Sequence, residues 1–258
     1  MQFIDIHGHY AWNIDDGMPS KDDAYQALSL ARSNNIQTIV ATPHIVPGSH
    51  TLEDIKAIQQ RINELKKLAS EFHINEGCEL FLNHDCVQSI HNKLFIPFEN
   101  TQYLLVEFDV RKELGDEHEV EDYLYEIEMM GYTPIIAHVE RYFKDEIDID
   151  RIRDFIDNGY IIQVNSSSLL GIHGKTVKNN AYRLLNEGLA HVIASDTHRC
   201  EGRRIPNLQL TFDTLSKDYS YQTLKTLMFD NPQHLLNNES VEVIEAKKSF
   251  FRKLLKRR

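Results

Sequence analysis

At 258 residues and 30.0 kDa the chain has the length of one α/β barrel, and one sizeable core is the expectation. Its 41% hydrophobic and 26% charged residues, with a mean hydropathy of -0.42, exclude disordered, collagen-like and polytopic membrane classes. The net charge of -11 is unevenly spread: the last twelve residues hold seven of the 28 Lys and Arg and no acid, leaving 21 bases against 39 acids in residues 1–246. An acidic body argues against nucleic acid as a partner and for a small or local substrate held in a site. No apolar run approaches the ~18 residues of a membrane span, and the start MQFIDIHGHY has neither region of a signal peptide, so a cytoplasmic protein is expected. Cys78, Cys86 and Cys200 are too few for a disulfide framework and form no CxxC pair.

Taken in chain order, FIDIH (3–7) reads as a short apolar strand, and Ser20 caps an amphipathic helix with acids in its first turn. IQTIVAT (36–42) is β-branched and strand-like. Thr51, with Asp54 three residues on, opens a helix running to about Glu71 as a capping box does. HINEGCEL (73–80), YLLVEF (103–108), TPIIAH (133–138), YIIQVNS (160–166) and AHVIASD (190–196) are strand-like, and helical patterns over 116–130, 148–158 and 176–187 separate the last four. Gly131, Gly159 and Gly188 stand where those helices should stop. This alternation predicts mainly parallel strands with helices outside, and seven strand candidates suffice to curl into a barrel.

Coordinating side chains gather at the strand ends: His7 with His9, His44, Glu79, Glu107, His138, and Asp196 with His198. In barrels the site forms at this C-terminal face, where side chains leave the packed interior and converge. Imidazoles and carboxylates without thiolates suit Zn, Mn or Fe in a catalytic centre. His7 and His9, two apart on a strand, project to one side and can reach one ion. Asp16, in the turn Asp15-Asp16-Gly17, can swing a carboxylate over the site, although the same residues are ordinary turn chemistry. Nine such ligands imply more than one metal, an arrangement suited to phosphoester hydrolysis. Arg141 and Arg203 offer guanidinium forks for phosphate oxygens, with Arg199 and Arg204 as neighbours that could serve instead of Arg203. The remaining histidines, His173 and His191 among them, fall outside the pattern and are read as ordinary.

The motifs FIDIHGHY, IDDG, ATPH, GCEL, LVEF, AHVERY, QVNSSSLLG and IASDTH followed by GRR, in this order over roughly residues 1–240, resemble the polymerase and histidinol phosphatase (PHP) superfamily. Within it they are most similar to the bacterial manganese-dependent tyrosine-protein phosphatases of capsular and exopolysaccharide loci, the CpsB/YwqE type. The resemblance implies a distorted seven-stranded barrel with three divalent ions at the C-terminal strand ends. His7, His9, Glu79 and Asp196 would hold the first ion, Glu79 with Glu107 and His138 the second, and Asp16, His44 and His198 the third. It further implies that Arg141 and Arg203 bind phosphate, that a metal-bound hydroxide attacks phosphorus without a phosphoenzyme, and that the partner is a tyrosine autokinase. The family often has Ser where Gly8 stands, which leaves the ligands intact.

Cysteine-based phosphatase chemistry needs an arginine six residues after a cysteine, but His84, Asn92 and Pro206 occupy those positions. An aspartyl-phosphate mechanism finds no DxDxT, since Asp148 and Asp150 sit at a helix start. A small-molecule phosphomonoesterase of the histidinol-phosphatase kind would use the same metals and is the alternative. A binding module with a degenerate site is disfavoured because all nine ligand positions are filled. Residues 1–246 are expected to form one domain. Residues 247–258, KKSFFRKLLKRR, read as a basic amphipathic tail suited to an anionic membrane or an acidic partner.

Overall fold

The computed structural model describes residues 1–114 and 119–247. Its strands and helices follow in chain order: β1 (Phe3–Gly8), α1 (Lys21–Ser33), β2 (Ile36–Ala41), β3 (His44–Ile45), α2 (Leu52–Leu68), β4 (His73–Glu76), β5 (Glu79–Phe81), α3 (Cys86–His91), β6 (Tyr103–Glu107), α4 (Glu119–Met129), β7 (Thr133–Ile136), α5 (Ile149–Asp157), β8 (Ile161–Asn165), α6 (Ser166–Leu169), α7 (Lys175–Glu187), β9 (Val192–Ala194), α8 (Leu208–Leu215), α9 (Tyr221–Lys225) and α10 (Asn231–Leu236).

Local chemistry sets the helix ends. Ser20 accepts a hydrogen bond from Asp23 N at the start of α1, and Thr51 and Asp54 close a reciprocal capping box on α2. Gly131, Gly159 and Gly188 take φ of 85°, 87° and 75° just beyond α4, α5 and α7, the left-handed stop that glycine adopts without strain. At Gly188 a side chain is also excluded by the segment after α10, since a Cβ there would lie 2.7 Å from Ile244 O. Ile244 is buried and Lys247 N donates to Asn186 O, so the chain is tied to the body up to that point. The tail read from the sequence lies, from residue 248 on, outside the described residues.

Every pairing among the described strands is parallel, as the strand–helix alternation predicts. The ladders form two sheets, a three-stranded β1-β2-β4 and a six-stranded β3-β5-β6-β7-β8-β9, rather than one continuous ring. One break falls inside HINEGCEL, which the sequence reads as a single strand, and the other at the end of IQTIVAT, beyond which the short β3 is a strand the sequence does not predict. Thr42-Pro43 separates β2 from β3 and Gly77-Cys78 separates β4 from β5, and Pro43 has no N–H to offer a ladder. Thr42 N instead donates to Gly8 O and Glu79 N to Pro43 O. On the other side, β1 meets the segment after β9 through a parallel bridge between Gly8 and Thr197, with Asp196 N donating to His7 O at 2.9 Å and His9 N to Thr197 O at 2.8 Å.

Apolar side chains divide into a large cluster, to which the helices contribute, and a smaller one built mostly from strand residues. Alternation along the strands links the smaller cluster to the site. Tyr103 and Leu105 of β6, Ile161 of β8, and Val192 and Ala194 of β9 belong to it. The next positions of the same rows are Glu107, Gln163 with Asn165, and Asp196, all buried. One face of the strands thus passes from hydrocarbon to a polar layer within one or two residues.

Candidate metal centre

The centre begins at β1. His7 and His9 leave its end with their Nε2 atoms 3.4 Å apart and fully buried. Each ring is turned by an acceptor on its other nitrogen. His7 Nδ1 donates to Gln163 Oε1 at 3.0 Å, and His9 Nδ1 to Asp15 Oδ2 at 2.7 Å. An amide oxygen only accepts, so His7 carries its proton on Nδ1 and leaves Nε2 free to ligate. The two Nε2 atoms face Glu79 Oε2 at 3.0 and 3.1 Å and Asp196 Oδ1 at 3.5 and 3.7 Å. These four residues form one group with donor atoms close enough to share an ion.

A second group joins His9 to Asp16, His44 and His198. Asp16 Oδ1 lies 3.2 Å from His198 Nε2 and 3.5 Å from His44 Nε2. The two acids of the turn divide the labour: Asp16 faces the imidazoles, while Asp15 orients His9 and accepts from His44 N and Gly17 N. A third group is His44, Glu79 and Glu107. His138 stands beside it, its Nε2 2.9 Å from Glu79 Oε1 and 3.6 Å from Glu107 Oε2. Glu79 therefore touches both neighbours, as a bridging carboxylate would.

Two of these side chains are aimed by strained backbone. His138 has φ 33° and Asp196 φ 54°, left-handed values that cost a non-glycine residue of order 1–3 kcal/mol. The surroundings hold both. His138 N donates to Gln163 Oε1 at 3.0 Å, and Asn165 Nδ2 to Asp196 Oδ2 at 3.0 Å.

The electrostatics suit cations. Burial lowers the His7 and His44 imidazoles, but the Glu79 carboxylate, with Asp196 and Glu107, outweighs it and lifts them to about 9 and about 10. Glu79 and Asp196 stay well below the carboxylate range despite burial, Glu79 held there by His7, His44 and His138 and Asp196 by His7, His198 and Arg204. Burial, with His198 beside it, lowers His9, and burial with Arg141 draws His138 down to about 4, so the cation-attracting field is concentrated where the carboxylates face His7 and His44. His44 Nδ1, Glu79 Oε2, His138 Nδ1 and His198 Nε2 are buried without a hydrogen bond of proper geometry, although charged neighbours lie close around the centre. Such atoms are costly unless an ion takes their lone pairs, and the all-nitrogen-and-oxygen donor set fits Mn, Zn or Fe.

Arg141 reaches the cluster, with Nη1 3.3 Å from Asp196 Oδ2. Arg203 is exposed and makes no hydrogen bond or ion pair among the described residues. Its neighbour Arg204 turns inward instead, its Nη2 2.7 and 2.9 Å from the two Asp196 oxygens. The loop causes this, because His198 N and Arg199 N both donate to Arg204 O and fix that residue. Arg204 is one of the two neighbours the sequence offered in place of Arg203, whereas Gln163 carries no sequence signal as an orienting residue and His173 reads there as an ordinary histidine. The His173 ring is half-buried and is drawn down to about 4 by burial and by Arg141, so it lies within the field of the site.

The family described as capsular polysaccharide synthesis, CpsB/CapC, matches residues 3–237. The tyrosine-protein phosphatase CpsB of Streptococcus pneumoniae is 30% identical over 246 residues, spanning 92% of this chain and 100% of that protein. The tyrosine-protein phosphatase YwqE of Bacillus subtilis is 29% identical over 245 residues, spanning 92% and 93%. A crystal structure from work on YwqE and CpsB as unique metal-dependent tyrosine phosphatases superposes with a TM-score of 0.80 at 26% identity, over 95% of this chain and 98% of that one.

Proposed function

This chain belongs to the CpsB/CapC family of capsular polysaccharide synthesis, and on that premise we propose that it is a metal-dependent phosphotyrosine-protein phosphatase acting on a bacterial tyrosine autokinase of capsule or exopolysaccharide assembly. The observation that carries this reading is the set of three overlapping imidazole and carboxylate groups that share His9, His44 and Glu79 beside the Arg141 guanidinium. Three manganese ions are proposed. His7, His9, Glu79 and Asp196 would hold the first, Glu79, Glu107 and His138 the second, and Asp16, His44 and His198 the third. Bound there, divalent ions supply Lewis acidity at phosphoryl oxygens and make water a better nucleophile at neutral pH.

The chain's own residues do the rest. Arg141 and Arg203 are assigned to the phosphate oxygens, and the argument for Arg203 is its freedom: Arg204 is committed to Asp196, whereas the Arg203 guanidinium is open to an incoming anion. No cysteine offers a phosphoenzyme route. Burial raises the thiols of Cys78 and Cys86 to about 12, and Cys200 is raised too. A tyrosinate leaving group, with pKa ~10, asks little of a general acid, and none is assigned.

We read the two sheets as one distorted PHP-type barrel of seven positions, with β2 and β3 sharing one and β4 and β5 another; the bridge between Gly8 and Thr197 supports this. Residues 1–246 are assigned to a single phosphatase domain in the cytoplasm, and residues 247–258 to a basic tail that contacts the kinase or the membrane. No helix of the described residues is long and apolar enough to cross a membrane.

The test is metal-stripped protein with manganese added back, assayed on a phosphotyrosine peptide, a phosphoserine peptide and histidinol phosphate. Manganese-dependent release from the phosphotyrosine peptide alone supports the proposal. Preference for histidinol phosphate refutes the protein-phosphatase reading, and no hydrolysis of any of the three refutes the enzyme reading.

A further inference from the structure

Of the ligands proposed above, Asp16 is the one the fold secures least. Its side chain is 61% exposed, whereas that of its partner His198 is fully buried. It sits in a turn between β1 and α1 rather than on a strand. One side of that turn is anchored to the strand end: Asp15 binds His9 Nδ1, Met18 N donates to His9 O, and a Cβ on Gly17 would lie 2.6 Å from His9 O.

The other side is held mainly by Arg199, with the Arg204 guanidinium farther off, its Nη1 3.7 Å from Asp16 Oδ2. Arg199 Nη1 donates to Asp16 O at 2.5 Å, to Gly17 O at 2.9 Å and to His198 O at 2.7 Å. One cationic donor thus draws together the carbonyls of two loops 183 residues apart, by charge-assisted bonds stronger than neutral ones. The loop bearing Arg199 is itself closed, since the amides of His198 and Arg199 both donate to Arg204 O. The staple therefore sets the spacing between Asp16 Oδ1 and His198 Nε2, 3.2 Å apart.

Resting on the metal-centre reading above, we infer that Arg199 is a positioning residue that fixes the Asp16 turn against the His198 loop and thereby controls the affinity of the ion held by Asp16, His44 and His198, without ligating it. Its effect falls first on that ion. The side-chain hydrogen bonds of Arg199 reach Asp16, Gly17 and His198 but none of the Glu79-side residues on β1, β5, β6 or the segment after β7, and Asp196, which shares the segment after β9 with Arg199, is held separately by Asn165 Nδ2 and Arg204 Nη2.

The experiment counts and titrates manganese on the full chain, by elemental analysis and calorimetry after chelation, in the wild type, Arg199→Ala, Arg199→Lys and Asp16→Asn. The expected result is a loss of about 10- to 100-fold in the affinity for one ion in Arg199→Ala, the scale of lost orienting contacts around a metal, with the other ions unchanged. Arg199→Lys should recover most of it, because an ammonium carries three donors for three carbonyls. Asp16→Asn should weaken the same ion, and combining it with Arg199→Ala should be less than additive. Wild-type affinity for every ion in Arg199→Ala overturns the inference while leaving the metal centre standing. So does equal weakening of all ions together with a lowered unfolding temperature of the metal-free protein, which marks a general structural role. A wild type that binds no manganese refutes the metal-centre reading itself, and the role of Arg199 with it.

Discussion

Gln163 gives the sharpest test of how the centre is built. Its Oε1 accepts from His7 Nδ1 and from His138 N, both at 3.0 Å, so one buried amide orients a ligand of the first proposed ion and the strained backbone beside a ligand of the second. Gln163→Leu keeps the volume and removes the acceptor, leaving two buried donors unsatisfied. At about 1–3 kcal/mol for each orphaned donor, the metal-free protein should lose roughly 2–6 kcal/mol. For a chain of this size that is a fall of roughly 5–20 °C in Tm. Loss of the fixed His7 tautomer should weaken manganese by about 10- to 100-fold. Gln163→Glu keeps an acceptor for both donors and should hold its ions. Thermal melts of the metal-free proteins, with manganese titrations, measure both effects. Unchanged Tm and unchanged affinity in Gln163→Leu would refute the claim that this side chain orients the two histidines.

Other outcomes follow from the same geometry. Asp196→Ala or His138→Ala should lose bound ions and activity together, whereas Arg141→Ala and Arg203→Ala should keep the ions and lose turnover by about 100-fold, the scale of one lost donor to transition-state charge; equal metal loss in all four, by elemental analysis, contradicts the assignment. Gly8→Ser should destabilise the protein by about 1–3 kcal/mol in denaturant melts, because a Cβ there runs into the buried Tyr10 ring, and wild-type stability would show that the ring yields. Burial holds His191 neutral with its pKa down at about 4, as its Nδ1 accepts from Ile162 N. Its folded value is below the ordinary 6.5, so its contribution is full above pH 6.5 and is lost as pH falls toward 4, up to roughly 3 kcal/mol. Stability profiles of the wild type and His191→Gln should diverge across that window, and parallel profiles would remove the claim.

The starts of α1 and α2 and the stops after α4, α5 and α7 were readable because their causes are local, whereas α2 ends at Leu68 rather than near Glu71 and the short α3, α6, α8, α9 and α10 were not readable. Ser20 with Asp23, Thr51 with Asp54, and the glycines after α4, α5 and α7 each act within about a turn of helix, so spacing alone exposes them. The strand-end histidines and acids were readable for a related reason: each follows a recognisable apolar run, and in parallel α/β folds the ends of such runs converge. The division into two sheets was not legible. HINEGCEL looks like one strand, and Gly77-Cys78 breaks it only because Glu79 N finds its acceptor on Pro43, in another part of the chain.

The same distinction separates the ligands from what aims them. Sequence alone determined the inventory of the centre, nitrogen and oxygen donors in a fixed order on successive strands, because residue type decides which ions can be bound. Only the tertiary structure decided that Asp15 orients His9 while Asp16 faces the imidazoles, that Arg204 rather than Arg203 pairs with Asp196, and that Gln163 and Arg199 hydrogen-bond to His7 and to the Asp16 turn. Gln163 lies 156 residues from His7 and Arg199 lies 183 from Asp16. Orientation is set by hydrogen bonds between segments remote in sequence, and these come into being only when the strands have paired and the loops have met.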